Sequence, residues 1–201
     1  MGESLSAEKS LSAEESLSAY EDTLEKLAET ESTEFVNNSS KEHASIMIKR
    51  LFLEAKGQVR ILSDHLNPDV YGRPGVIDAA MSFLGKSAES RLEVIVQLNE
   101  EGCPKPEDNA FVGHLLEEHE GKITLYQADE KLKECKNHFM VVTTDKGKHA
   151  LRYELDTKAH LAIGTFNAGV KGQRLIDSFG DMLKIKGCTP LPLTASKINT
   201  D

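Results

Sequence analysis

Apolar residues recur at helical spacing over 41–56, where Ala44, Ile48, Leu51, Phe52 and Ala55 share a face. Gly57 follows as a C-cap glycine, and residues 58–63 read as a short buried strand. Asp64 to Pro68 form the loop leaving it, and Gly72-Arg73-Pro74-Gly75 breaks the chain before a helix over 75–87. Residues 92–98 are apolar enough to be a central strand, and 99–108, with Gly102, Pro104 and Pro106, make a surface loop. Phe111, Leu115 and Leu116 mark a helix to about residue 120, stopped by Gly121, and 123–126 is a third strand.

Strands then follow without helices between them. Residues 139–143 lead into a hairpin turn at 145–148 whose Gly147 supplies positive φ, and 149–155 alternate and return. Residues 160–165 are a further strand. Val170, Leu175, Ile176, Phe179, Met182 and Leu183 then describe a last helix, closed by Gly187, and 188–201 read as an unstructured tail. The order β-α-β-α-β-β-β-β-α predicts an α/β domain over 41–187, with a mixed sheet flanked by helices on both faces.

Residues 1–40 form an acidic arm, helical or disordered. Leu5, Leu11 and Leu17 head a six-residue repeat, and six residues turn a helix by about 600°, so these leucines point in three directions. This part reads as disordered in preference to a solvated helix. Ser18 and Glu21 make a capping box, and Leu17, Tyr20, Leu24, Leu27 and Ala28 share a face, so a helix over 18–30 is expected. Such a helix needs a partner, its own domain or another chain, and residues 31–40 read as a linker.

Charge sharpens this division. Of the net −9 over 201 residues, −8 lies in residues 1–40 and −1 in the rest. The domain lacks the basic excess that drives non-specific nucleic-acid binding, although a local basic pocket is compatible with it. Cys103, Cys135 and Cys188 are few and widely spaced, as in a reducing compartment, so packing is their expected role. Neither a secretory leader nor an apolar run of membrane-spanning length is visible, and cytoplasmic residence is expected.

The chemistry-bearing stretch is 137–167. His138, Met140 and Asp145 read H-x-M-x4-D, and Gly164, Thr165, Phe166 and Asn167 read G-T-x-N. This frame resembles the phospholipase D superfamily, whose signature is H-x-K-x4-D followed by G-[ST]-x-N. The resemblance covers 43–187 as an element pattern and implies a phospholipase D-like fold. By the same resemblance His138 is the nucleophile on phosphorus, Asp145 a structural acid, and Gly164, Thr165 and Asn167 parts of the pocket. Single-motif members pair as dimers, the second subunit's histidine acting as general acid, without metal or cofactor.

Two departures stand out. Met140 occupies the position of the lysine, whose charge stabilises the transferring phosphoryl oxygens; losing one such donor costs about 10²–10³ in rate. Lys136, Lys148 and Arg152 are the cations nearby, and strand alternation aims none of them obviously at the pocket. Eighteen residues separate Asp145 from Gly164, so a hairpin has been added beside the site.

Other candidates carry less. A lone histidine opening an apolar strand is more often structural than catalytic, and H-x-M-x4-D alone would be a weak signal. Asp64 and His65 end the first strand, where open α/β sheets bind ligands, against the alternative of an Asx-turn role. His114 and His119 lie five apart and do not converge as metal ligands do, so no metal site is assigned. His160 reads as a surface residue. Gly72-Arg73-Pro74-Gly75 lacks the form of a phosphate loop.

Two functional readings follow from the resemblance. In the first, the chain is a non-catalytic binding or regulatory subunit that retains a phosphate or nucleic-acid pocket, with residues 18–30 meeting a partner or a second copy. In the second it is a metal-independent phosphodiesterase or nuclease, using His138 as nucleophile in a homodimer.

Overall fold

The structure is a computed structural model that describes residues 3–97 (side chains of α1 from residue 14), 109–129, 131–132, 135–156, 159, 161–184 and 188–193. One eight-stranded sheet runs through it in the order β1-β7-β6-β5-β2-β3-β4-β8. Three parallel strands, β2 (Ala55–Ser63), β3 (Arg91–Val96) and β4 (Ile123–Gln127), form one half. The other half is antiparallel: β5 (Phe139–Thr144) pairs with β2, then come β6 (His149–Asp156), β7 (Leu161–Thr165) and β1 (Val36–Asn38). The change from parallel to antiparallel pairing therefore falls between β2 and β5. This is the mixed α/β sheet with helices on both faces that the element order predicts.

Helix α2 (Lys41–Glu54) centres one face. Ser40 caps it, its Oγ accepting from His43 N at 3.1 Å, and Met47, Ile48, Leu51 and Phe52 are fully buried against the sheet and against α4 (Pro74–Gly85). The short α3 (Pro68–Tyr71) and α5 (Ala110–His119) complete that layer, and α6 (Val170–Lys184) covers part of the opposite face through Phe179. Gly57 does not end α2. The helix stops at Glu54, and Gly57, at φ 72°, lies inside β2 where the register with β5 shifts, so the glycine serves a bulge. Gly147 takes φ 72° at the β5–β6 turn as expected.

The N-terminal arm differs most from expectation. Helix α1 (Glu3–Glu29) is continuous, so Ser18 and Glu21 are mid-helix and cap nothing. Its Leu24 and Ala28 enter the main core, and Glu21 and Glu25 pair with Lys49 and Arg50 of α2, so the apolar side of 18–30 is spent on its own domain. Nor is 31–40 a linker, because β1 within it extends the sheet. The boundary at residue 40 therefore cuts through packed structure. The expected tail likewise begins as strand β8 (Thr189–Pro190) on β4, with Leu191 and Leu193 against the core. The predicted loop 99–108, Cys103, His160, Gly187 and residues 194–201 lie outside the described residues. No described helix is long and apolar enough to cross a membrane.

Candidate functional site

The carboxyl ends of parallel strands gather loops and backbone donors, which makes them the usual ligand-binding edge of an open sheet. Here a cavity of about 80 Å³ opens at the end of β2, where Ser63 and Asp64 meet the start of β5 and the N-terminus of α2. Ser40, Lys41, Tyr71, His138, Arg152 and Glu154 are among its lining residues. Register explains why they meet. Glu154 donates its N–H to His138 O at 2.8 Å, and Met140 lies directly opposite Arg152. His138, Met140, Arg152 and Glu154 thus share the face that α2 covers.

His138 is 8% exposed and held at both ring nitrogens. Nδ1 lies 3.0 Å from Glu154 Oε2, and Nε2 lies 2.9 Å from Gln97 Oε1. Gln97 donates its amide Nε2 to Leu132 O and Cys135 O, at 2.6 and 2.8 Å, which leaves its Oε1 facing His138 as an acceptor. His138 Nε2 is therefore the donor of that bond, while Nδ1 faces a carboxylate. Neither nitrogen offers a lone pair to the cavity.

Arg152 is 7% exposed, and its guanidinium donates to Glu154 Oε1 at 2.7 Å. Its Nε has no hydrogen-bond partner among the described residues. Burial alone would raise the Glu154 carboxyl, but hydrogen bonds and charge from His138 and Arg152 outweigh it and hold the group below the ordinary glutamate range. Asp64 behaves alike: burial opposes ionisation, yet the hydrogen bond and charge of His65, with charge from His138, bring its carboxyl down to about 2. Asp64 Oδ1 also accepts from His65 N at 2.7 Å, and Oδ2 lies 3.0 Å from His65 Nδ1. Asp64 thus lines the cavity without closing an Asx turn, and the loop is instead tied by Leu66 N donating to Ser63 Oγ at 3.1 Å. His65 turns to Asp64 and is not among the residues lining the cavity.

The other expected residues sit elsewhere. Met140 is 1% exposed and belongs to the hydrophobic core. Gly164 lies across β6 from Met140, opposite Arg152, where a side chain would press into Met47. Thr165 and Asn167 follow Gly164 in the direction that leads away from the Glu154 end of β6. Thr165 is fully buried and donates to Ser32 O at 3.1 Å, and Asn167 N donates to Thr165 Oγ1 at 3.4 Å. The added hairpin accounts for this: β6 takes the place beside β5, so Arg152 and Glu154 face Met140 and His138 while the G-T-x-N tetrad is one strand farther out. Asp145 is exposed at the far turn, 3.5 Å from Lys56.

Glu154 and Gln97 escaped the sequence reading, and Arg152 entered it only as a cation not aimed at the pocket. Arg152 and Glu154 have the two-residue spacing of one strand face, a signal that was present, and the expectation that no cation is aimed at the pocket is corrected by Arg152. Gln97 directly follows the apolar Val94-Ile95-Val96 at the carboxyl end of β3. Its role depends on a contact across 41 residues. Among the described residues no three His, Cys, Asp or Glu side chains converge to hold a metal ion.

No protein-family model matches the sequence, and no curated protein aligns with it significantly. Solved structures do match its fold. Nuc from Salmonella typhimurium, a phospholipase D family member, is similar at TM-score 0.51 and 10% identity, over 80% of this chain and 100% of that one. TrmBL2, an archaeal chromatin protein described with a novel mode of DNA binding, is similar at TM-score 0.51 and 12% identity, over 90% of this chain and 65% of that one. NucT from Helicobacter pylori is similar at TM-score 0.42 and 12% identity, over 79% and 100%. The chain has a phospholipase D-like fold.

Proposed function

We propose that this phospholipase D-like domain has given up catalysis and works by binding, as a regulatory or scaffolding subunit of a larger assembly in the cytoplasm. The observation that carries this reading is the double engagement of His138. A nucleophilic imidazole must present a lone pair to phosphorus, and here Nε2 is donated to Gln97 while Nδ1 faces Glu154. The size of the cavity, about 80 Å³, supports it too, because small-molecule pockets usually enclose about 300–1,000 Å³. A group the size of one phosphate is the upper limit. Arg152, Lys41 and the N-terminus of α2 are the cationic elements that would meet such a group, nucleic-acid backbone included.

The test compares wild type with His138→Ala on bis(p-nitrophenyl) phosphate and on DNA and RNA, in EDTA. Both proteins are expected to stay at the buffer rate. Hydrolysis by wild type that disappears in His138→Ala would sink the non-catalytic reading.

One observation favours the second reading, a phosphodiesterase acting as a homodimer. Arg152 stands beside His138 and supplies the positive charge that Met140 lacks. In that reading Gln97 must release Nε2 when substrate enters. A rate that depends on both His138 and Arg152, and survives EDTA, is its signature.

A further inference from the structure

The sheet face opposite α2 is only partly covered. Helix α6 lies over β2, β5 and β6, and leaves the outer flank formed by β6, β7 and the segment leading into β1 without a covering helix among the described residues. Five large apolar side chains stand exposed among those residues, and three of them, Phe35, Leu155 and Leu161, lie on this flank. Phe35 and Leu155, with Tyr153 and Ile163, floor a groove of about 270 Å³. Isolated exposed leucines need no explanation, but a grouped apolar floor with a charged rim marks an interaction surface.

The rim identifies the occupant. Lys171 and Arg174 of α6 border the groove, with Lys171 Nζ 4.9 Å from the centre of the Phe35 ring, and both are exposed. Among the described residues no acidic side chain lines the groove. Its complement is a segment that is both acidic and apolar. This chain carries one: residues 3–17 include Glu3, Glu8, Glu14 and Glu15 against a single Lys9, and Leu5 and Leu11, which head the repeat on different sides of the helix, each supply one apolar contact. They form the first half of α1, a helix that at 27 residues spans about 40 Å, roughly twice the length of the α2 helix it packs on. Among the described side chains of α1, Tyr20, Leu24, Leu27 and Ala28 meet the core, while Glu14 and Glu15 are exposed.

We infer that the acidic first half of α1 from a second copy of this chain docks in the groove between β7 and α6, with its glutamates on Lys171 and Arg174. A reciprocal exchange about a two-fold axis closes such a contact into a dimer. This surface lies on the sheet face opposite the His138 cavity, and the inference assumes nothing about catalysis there.

Sedimentation equilibrium of the full-length chain over a concentration series tests it. Wild type is expected to show a monomer–dimer equilibrium. The Lys171→Glu/Arg174→Glu variant weakens it by about tenfold or more, and Leu155→Glu, which would place a charge in the covered floor, does the same. Reversal of Glu8, Glu14 and Glu15 to Lys weakens it equally, and joining that reversal to Lys171→Glu/Arg174→Glu restores association to within about threefold of wild type. All the changed groove positions are exposed, so circular dichroism and the melting temperature should match wild type. A wild type that stays monomeric throughout overturns the inference. So does a dimer indifferent to these substitutions, which would place the contact elsewhere. A monomer whose Lys171 and Arg174 bind a labelled oligonucleotide overturns it as well, and assigns the groove to nucleic acid.

Discussion

Met140 and Arg152 face each other directly across β5 and β6, the apolar thioether on one strand and the guanidinium on the next. The positive charge of this site thus sits one strand away from where the motif would put it, on the hairpin that separates Asp145 from Gly164. Restoring a lysine at 140 would set an ammonium in the core, next to an existing cation. Met140→Lys is therefore expected to lower stability by about 3 kcal/mol or more and to confer no phosphodiesterase activity. Urea denaturation and a diester assay check both parts; a stable and active variant would show that the pocket had only been waiting for its lysine.

Arg152 and Glu154 form a buried charge pair that also holds His138. Breaking it from one side leaves an uncompensated group in the interior. Arg152→Met should cost about 3 kcal/mol, and Arg152→Met/Glu154→Leu clearly less than the sum of the two single changes. Equilibrium unfolding of the four proteins measures the coupling, and strict additivity would mean that the pair does not act as a unit.

Asp64 ties pH to stability. Its carboxyl lies at about 2 in the folded chain against 3.8 for an ordinary aspartate, so the unfolded chain takes up the proton first as pH falls. The contribution is complete above about pH 5 and disappears as acid carries the group through its folded pKa, with Glu154 adding in the same direction. Solvent screening leaves about 1 kcal/mol for Asp64. Denaturation midpoints between about pH 5 and pH 2 should fall more steeply for wild type than for Asp64→Asn; equal slopes would rule this linkage out.

Gly164 lies where α2 comes down onto β7. A Cβ there would sit 2.9 Å from Met47 Sδ and 3.3 Å from Leu151 O, and Met47 is fully buried. Gly164→Ala is expected to cost about 1–3 kcal/mol through overpacking. Replacing Met47 by the shorter Leu in the same chain should recover part of that loss. If Gly164→Ala leaves the melting temperature unchanged, close packing does not explain the glycine.

Much of this molecule follows from short-range pattern. The 3.6-residue spacing of Ala44, Ile48, Leu51 and Phe52 predicts α2, and the apolar run at 92–96 predicts a central strand, because each pattern matches the period of its own backbone. His138 at the start of β5 and Asp64 at the end of β2 were legible as candidates for the same reason: strand ends can be read locally. The arm was read less well. A solvated six-residue repeat offers no apolar stripe, yet α1 continues through it as a helix whose later turns are anchored by Leu24 and Ala28.

The sequence by itself determined the order of elements, the α/β class and the strand that carries His138, since these depend on residues close together in the chain. Only the tertiary structure decided what surrounds His138. Which strand lies beside β5 is settled by sheet order, so Arg152 and Glu154 from the added hairpin became its neighbours, while Thr165 turned to Ser32 and Asn167 is not among the residues lining the cavity. Gln97 meets His138 across 41 residues because β3 and β5 flank β2 on either side. No spacing along the chain encodes that meeting; it is a property of the folded sheet, in which one-dimensional distance no longer measures proximity.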